Sequence, residues 1–375
     1  MEQAVFRYHQ YNDLTHLIAN VPVDKIFLVH GKNSYESSGA KNFIQKLLGS
    51  EAYGVFHDFE VNPQLNDLQA GVECFRKNDY KLIVAIGGGS VLDMAKLISV
   101  FSHQQSNFND LISGDSSIKT VKTPVLAIPT TAGTGAEATR FAVLYLGKTK
   151  YSVDHPVLLP DYVFLRPELL PDANKYLTAC SGLDAFCQAV ESIWSVNATE
   201  ESENYAFQAL DMVWKNLPLA VSKNDASAKA EMQEGAYLAG KAINITRTTA
   251  PHALSYAFTS YYGIPHGHAV ALSLPFFLQY NYHLNDSDCS DRRGAAHVKS
   301  RISKILNHLN INLKTMEEAF VQFFDSLGIN INLKSLIPEL EYDIIENNVN
   351  YSRLNNNPRV VTQETIREFL DRANK

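Results

Sequence analysis

Cysteine is scarce: four residues in 375, Cys74, Cys180, Cys187 and Cys289, with no Cys-x-x-Cys pair among them. That is too few for a disulfide scaffold, so reduced thiols and a cytoplasmic protein are expected. No apolar run approaches the length of a membrane span. The opening Met-Glu-Gln-Ala-Val-Phe-Arg-Tyr lacks the basic-then-apolar order of a secretory signal. Positive charge is in deficit, with 33 Lys and Arg against 40 Asp and Glu and a net charge of −7. Nucleic acid and anionic membrane are therefore not expected as partners, since neither would meet a basic face. Internal repeats, low-complexity segments, a G-x-G-x-x-G fingerprint and a Walker loop are missing as well.

What is present suits an ordinary globular protein of two domains: 45% hydrophobic and 19% charged residues in a chain of this length. Up to about residue 170, apolar runs alternate with helical patterns. Strands are predicted at Lys25–Val29, Tyr53–Phe59, Leu82–Ile86, Val125–Ile128, Phe141–Tyr145 and Tyr162–Leu165, and helices at Glu36–Leu48, Gln64–Asn78 and Val91–His103. Such alternation implies a parallel sheet covered by helices on both faces. From about Asp172 onward only helical periodicity is seen, interrupted at Gly182, Pro218, Asn224–Asp225, Gly263–Pro265, Asn285–Asp291 and Pro338.

Two loops of the first half suit a dinucleotide. Gly87-Gly88-Gly89-Ser90 lies between a predicted strand and a predicted helix, where glycines and exposed amides can cradle a phosphate. Alone, such a turn is also compatible with plain structure. The stretch Pro129-Thr130-Thr131-Ala132-Gly133-Thr134-Gly135-Ala136-Glu137 follows the next strand and offers three hydroxyls toward the same sheet edge. In the second half His252 and His266 flank a Gly263-Ile264-Pro265 break, which predicts one imidazole at the start of each of two helices. Asp184 and Gln188, four apart on one helix face, complete a metal inventory of one carboxylate, two imidazoles and an amide oxygen. Asp184 also reads as a helix N-terminal acid in a helix opening near Ser181.

Jointly these pieces resemble the iron-containing (group III) alcohol dehydrogenases, which share their fold with dehydroquinate synthase and glycerol dehydrogenase. The resemblance rests on Gly87-Gly88-Gly89-Ser90 with Asp93, Thr130-Thr131-Ala132-Gly133-Thr134-Gly135 with Glu137, Gly182-Leu183-Asp184-Ala185, the spacing of His252 and His266, Pro265-His266-Gly267, and Asn357-Pro358-Arg359. It implies an α/β dinucleotide-binding domain (1–171), an all-α metal- and substrate-binding domain (172–375), and a site in the cleft between them. It implies NADH or NADPH on Gly87, Gly88, Gly89, Ser90, Asp93, Thr130, Thr131 and Thr134. It also implies one divalent metal, Fe2+ or Zn2+, on Asp184, Gln188, His252 and His266. A homodimer is the expected assembly. Most members have His where this chain has Gln188, a harder, neutral oxygen ligand. Many have a further His where this chain has Tyr256, and an apolar residue where it has His268. The pattern around Gln188, His252 and His266 is similar to the phosphonoacetaldehyde reductase branch.

The activity so implied is metal-assisted reduction of a small aldehyde, phosphonoacetaldehyde to 2-hydroxyethylphosphonate, with Tyr256 or His268 returning the proton. The alternatives are a neutral short-chain alcohol or aldehyde, a non-redox reaction like that of dehydroquinate synthase, and a catalytically silent cofactor binder. For an anionic substrate, Lys241, Arg247 and His268 are the expected contacts, with a solvated helix face the competing expectation for Lys241 and Arg247. At the end of the first predicted strand, His30-Gly31-Lys32-Asn33-Ser34 carries no carboxylate against a 2′-phosphate. NADPH is therefore expected to serve at least as well as NADH, with Gly31, Lys32 and Ser34 in contact.

Overall fold

Three strands in the first half are apolar at nearly every position because both of their faces are covered. β2 (Ile26–His30), β4 (Leu82–Gly87) and β5 (Val125–Pro129) are buried along their whole length. With β1 (Ala4–Arg7), β3 (Gly54–Phe56) and β8 (Tyr162–Leu165) they form a six-stranded, all-parallel sheet of order β1-β8-β5-β4-β2-β3. Alternate residues of one strand feed opposite cores. Phe27 and Val29 pack on one face of the sheet, while Ile26 and Leu28 pack on the other. The structure, a computed structural model, describes residues 3–32, 34–49, 53–147, 149–171, 174–349 and 351–375.

The helices of this unit are α1 (Tyr11–Ala19), α2 (Ser34–Ser37), α3 (Ala40–Leu48), α4 (Leu65–Phe75), α5 (Gly89–Phe101) and α6 (Phe108–Ser113). The helix expected over Glu36–Leu48 is two, divided where Gly39 takes a φ of 76°. The stretch Phe141–Leu146 (β6) is a strand, but it pairs antiparallel with Thr149–Asp154 (β7) as a separate hairpin rather than joining the parallel sheet. The strand Ala4–Arg7 carries too short an apolar signal to have been expected. It earns its place by pairing with β8 at the sheet edge.

The chain divides into two compact units, Met1–Ala173 and Asn174–Lys375. The expected boundary, with the second domain starting at 172, lies outside the described residues. The second unit contains α7 (Lys175–Trp194), α8 (Glu200–Lys223), α9 (Ala226–Thr246), α10 (Ala250–Tyr262), α11 (His266–Ala271) and α12 (Leu274–Tyr282). It continues with α13 (Ala295–Leu309), α14 (Met316–Ser326), α15 (Leu333–Leu336), α16 (Tyr342–Asn347), α17 (Tyr351–Leu354) and α18 (Gln363–Ala373). The breaks expected at Gly182 and Pro218 are corrected: both lie inside helices, α7 and α8. A Cβ on Gly182 would stand 2.2 Å from a Leu217 methyl, so this glycine lets α7 and α8 approach rather than ending a helix. Packing of α8 against α7 and α9 outweighs the hydrogen bond that Pro218 removes. Among the described residues no helix is long and apolar enough to cross a membrane.

One polar cluster is sealed inside the first unit. Lys96 on α5 is fully buried and donates to Asp93 Oδ1 at 3.2 Å, Thr139 Oγ1 at 3.1 Å and the Phe141 carbonyl at 2.8 Å. Glu137 is buried nearby, and burial lifts its carboxyl to about 7 despite the opposing pull of Lys96. The folded protein thus favours the protonated acid more than the unfolded chain does, and stability is lost as pH rises from the ordinary carboxylate range through about 7. Glu137→Gln should therefore raise the melting temperature at pH 8 and change it little at pH 5, as followed by thermal unfolding. An equal shift at both pH values would refute this assignment.

Candidate metal and coenzyme sites

The metal candidate is built on one face of α7. Asp184, Gln188 and Glu191 follow one another at successive turns of this helix, and all three are buried. Asp184 is not a helix-terminal acid: α7 begins at Lys175, two turns earlier, because Asn174 caps it by accepting from the Leu177 amide. The two imidazoles arrive from consecutive helices. His252 is the third residue of α10 and His266 the first of α11, with Gly263 at φ 69° ending the first helix and Pro265 leading into the second. Gly267 then fixes the distance to α7. A Cβ there would lie 1.9 Å from the Cys180 carbonyl oxygen and 2.9 Å from the Asp184 nitrogen, so only glycine admits this approach.

One ligand atom from each of Asp184, His252 and His266 lies within 4.8 Å of the others. Tetrahedral metal–ligand bonds of about 2.0–2.2 Å set donors about 3.3–3.6 Å apart, so these atoms need close only slightly to share one cation. His252 Nε2 is 3.2 Å from Asp184 Oδ1, and Gln188 donates from Nε2 to the same oxygen at 3.0 Å. The two imidazoles meet edge-on at 5.4 Å between centroids. Glu191 acts from behind, accepting from His252 Nδ1 in a short hydrogen bond, and is itself held by the Thr249 amide at 2.6 Å and hydroxyl at 2.8 Å. Trp194 Nε1 donates to the same hydroxyl at 2.9 Å. Burial alone would depress His252, but Glu191 and Asp184 raise it to about 9. A proton shared with Asp184 thus sits where a divalent cation would replace it. Carboxylate, two imidazoles and an adjacent amide form a donor set that fits such a cation.

The coenzyme candidate lies at the carboxyl ends of β4 and β5, which are neighbours in the sheet. The Thr130 amide donates to the Gly87 carbonyl at 2.9 Å. A Cβ on Gly88 would come 3.2 Å from Thr131 Cγ2, and one on Gly89 2.9 Å from Thr134 Cγ2, so the two loops touch where side chains are absent. Gly88 caps α5, leaving its first amides without acceptors inside the helix. The Thr130 hydroxyl is buried and has no hydrogen-bond partner among the described residues. Gly31 and Ser34 sit beside the same helix start, since a Cβ on Gly31 would meet Ser34 Oγ at 2.6 Å and a Val91 methyl at 3.4 Å. An open backbone cradle with an unsatisfied hydroxyl fits a dinucleotide.

Residues 2–167 match the family model described as iron-containing alcohol dehydrogenase, and residues 178–374 match that of the Fe-containing alcohol dehydrogenase family, C-terminal. The chain belongs to the iron-containing alcohol dehydrogenase family. It is 32% identical over 337 residues to a phosphonoacetaldehyde reductase of Streptomyces viridochromogenes, covering 84% of this chain and 81% of that protein. It is 29% identical to a 1,3-propanediol dehydrogenase of Citrobacter freundii, covering 85% and 82%. The crystal structure of a sulfoacetaldehyde reductase from Bifidobacterium kashiwanohense in complex with NAD+ superposes with a TM-score of 0.87 at 25% identity, covering 100% of this chain and 97% of that one. This iron-containing alcohol dehydrogenase is accordingly an NAD(P)-linked, metal-dependent oxidoreductase with the parallel α/β and helical parts of its family.

Several expected site residues have other partners in this dehydrogenase. Asp93 is turned inward, accepting from Lys96 and, at 3.0 Å, from the Val143 amide, so it ties α5 to β6 instead of facing a coenzyme. The Ser90 hydroxyl donates to the Val61 carbonyl in a short hydrogen bond, leaving its amide as the group for an anion. The expectation that no carboxylate stands near the end of β2 is corrected: Lys32 is paired with Asp58 at 3.1 Å and Glu60 at 3.2 Å. His268 is also corrected. It is 2% exposed, donates from Nε2 to the Asn330 carbonyl at 2.5 Å, and accepts at Nδ1 from the Tyr176 hydroxyl at 2.8 Å. Burial lowers its pKa, so it is a neutral imidazole with both nitrogens spent. Lys241 lies on the α8 side, 2.7 Å from the Tyr205 hydroxyl and over its ring. Arg247, at φ 62°, caps its own helix by donating to the Asn244 carbonyl at 3.0 Å.

The Tyr256 ring stacks on that of His266 with centroids 6.0 Å apart. Glu191 is the residue that motif reading passed over, although its position one turn beyond Gln188 on the same face was the available signal. Because it orients His252 and raises its basicity, Glu191→Gln should weaken metal binding by about 10- to 100-fold while leaving the helical content intact. Chelator competition against the purified protein measures this directly, and an unchanged affinity would count against the assignment.

Proposed function

We propose that this enzyme reduces phosphonoacetaldehyde to 2-hydroxyethylphosphonate, using Asp184, Gln188, His252 and His266 to hold one divalent metal and the Gly87–Ser90 and Thr130–Thr134 loops to hold the coenzyme. The observation that carries the metal chemistry is the convergence of Asp184, His252 and His266 within 4.8 Å, backed by Glu191. The substrate class is supported by the 32% identity to a phosphonoacetaldehyde reductase and by the fold match to a sulfoacetaldehyde reductase. Both names denote two-carbon aldehydes with an anionic head. When bound, the metal supplies Lewis-acid polarisation of the carbonyl and the reduced nicotinamide supplies the hydride.

The chain's own residues do the rest. Glu191 keeps His252 in the tautomer whose Nε2 faces Asp184. The Ser255 hydroxyl lies 3.3 Å from His266 Nδ1 and steadies that ring. The stacking of Tyr256 beside His266 supports a role in returning a proton to the substrate oxygen. Around the coenzyme, the carboxylates of Asp58 and Glu60 oppose a 2′-phosphate near Lys32, so the preferred reductant is NADH rather than NADPH. All four cysteines are free thiols, in keeping with a cytoplasmic protein.

Three measurements test these assignments. His266→Ala should lose both bound metal and turnover while unfolding at a near-normal temperature; full activity in a metal-free variant would end the metal proposal. Wild-type kcat/KM for phosphonoacetaldehyde should exceed that for butyraldehyde; the reverse order would make the enzyme a neutral short-chain alcohol dehydrogenase. Asp58→Asn combined with Glu60→Gln should move the NADH-to-NADPH preference toward NADPH, and no change would remove these acids from coenzyme choice.

A further inference from the structure

Among the described half-buried cations of the second unit, Arg353 has a setting unlike that of the other arginines near the C-terminus. Arg293, Arg301, Arg359, Arg367 and Arg372 each pair with a carboxylate. Arg353, on α17, pairs with none among the described residues. Its Nη1 donates to Thr248 Oγ1 at 2.6 Å, and its guanidinium carbon stands 6.0 Å from the centroid of the Tyr256 ring. That ring in turn stacks on His266 at 6.0 Å. Arg353 is therefore one aromatic ring removed from a candidate metal ligand, and both His266 and Tyr256 are only partly covered.

The side chain is also held in place. Asn356 Nδ2 donates to the Thr248 carbonyl at 3.0 Å, and Asn197 donates to Asn356 Oδ1 at 3.0 Å, so the turn carrying Arg353 is pinned to the start of α10. A guanidinium has five N–H donors, and Thr248 takes one. A partly desolvated cation without a counter-ion is costly, and an anionic ligand offsets that cost.

We infer that Arg353 reads the anionic head of the substrate, in place of Lys241, Arg247 and His268, whose polar groups are turned to other partners. The inference rests on the proposed reduction of a phosphonate-bearing aldehyde and names the residue that selects it. The phosphonate oxygens accept from the guanidinium fork in a charge-assisted contact, while the carbonyl end of the same molecule lies toward His252 and His266. A neutral aldehyde makes no use of this arginine.

The test compares Arg353→Gln, Arg353→Lys and Thr248→Val with the wild type on phosphonoacetaldehyde and butyraldehyde, with metal content and thermal unfolding measured for each. Arg353→Gln should lower kcat/KM for phosphonoacetaldehyde by about ten- to a hundredfold and that for butyraldehyde by less than about threefold. Arg353→Lys should recover part of the loss, since a point charge remains without the fork. Thr248→Val should show a smaller loss in the same direction. Methylphosphonate should inhibit the wild type competitively and bind Arg353→Gln more weakly. Should Arg353→Gln lose metal or fold poorly, the same two-substrate comparison on the other two variants decides. Equal losses on both aldehydes, or none, in an enzyme that prefers phosphonoacetaldehyde would overturn the role of Arg353 and leave the proposed function standing. A wild type that prefers butyraldehyde and ignores methylphosphonate would overturn both.

Discussion

The close approach of α11 to α7 at Gly267 is the constraint on which the metal candidate depends. A methyl group there would overlap the Cys180 carbonyl oxygen at 1.9 Å, so any side chain would force the helices apart. His266 is the residue just before this contact and Asp184 is one turn beyond Cys180, so separation of the helices is separation of two ligands. Metal coordination tolerates errors of only about 0.2 Å in bond length. Gly182, on α7 between Cys180 and Asp184, plays a similar part on another face of that helix, where Leu217 of α8 fills the room left by its missing side chain. Two small residues thus let one long helix be packed from several sides while keeping a polar face intact in its middle.

That polar face is expensive to bury. Asp184 and Glu191 are both removed from water on an otherwise apolar helix, and each such charge costs several kcal/mol unless it is compensated. Glu191 is compensated completely by short-range donors: the Thr249 amide and hydroxyl and the His252 ring. Asp184 has the Gln188 amide and the shared proton of His252. The raised pKa of His252 reflects this demand for positive charge, and a divalent ion would meet it with His266 as a further donor. Gln188 in place of imidazole leaves the charge of the ligand set unchanged but makes it harder, with an oxygen donor where a nitrogen is usual in the family.

The sheet, the two glycine and threonine loops and the convergence of Asp184, His252 and His266 were legible in the sequence because each rests on a local signal. Continuous apolar runs mark strands covered on both faces, and Gly263-Ile264-Pro265 marks a helix end followed by a helix start. Edge strand β1 and the β6–β7 hairpin were not legible, since a four-residue strand is defined by its partner and a strand's sheet by long-range pairing. Glu191 escaped because a carboxylate in a long helix looks like a solvated charge until His252 is brought to it across 61 positions of sequence. The misplacements share one cause. Asp93, Lys241 and His268 were judged by nearness along the chain to a motif, whereas on a helix residues one or two apart face different neighbours, and a residue on another helix meets other elements altogether. His266 turns toward Asp184, and His268, two residues on, turns toward Tyr176 and Asn330.

Two consecutive residues at the head of α10 hold both the Glu191 carboxylate behind His252 and the Arg353 guanidinium. Thr249 binds Glu191 through both its amide and its hydroxyl, and so fixes His252 from behind. Thr248, with its side chain directed elsewhere, accepts from Arg353, and its carbonyl accepts from Asn356. The two side chains have separate partners, which is why one short segment can serve both. A shift of this segment would move the metal ligand and the arginine together, preserving their spacing. On the proposed reading, the span between carbonyl and anionic head is set by the backbone at Thr248 and Thr249, not by the flexible reach of a surface side chain. Such a ruler suits a short, stiff aldehyde whose two ends must be held at once, because the interaction at the charged end can then serve to position the carbonyl that reacts.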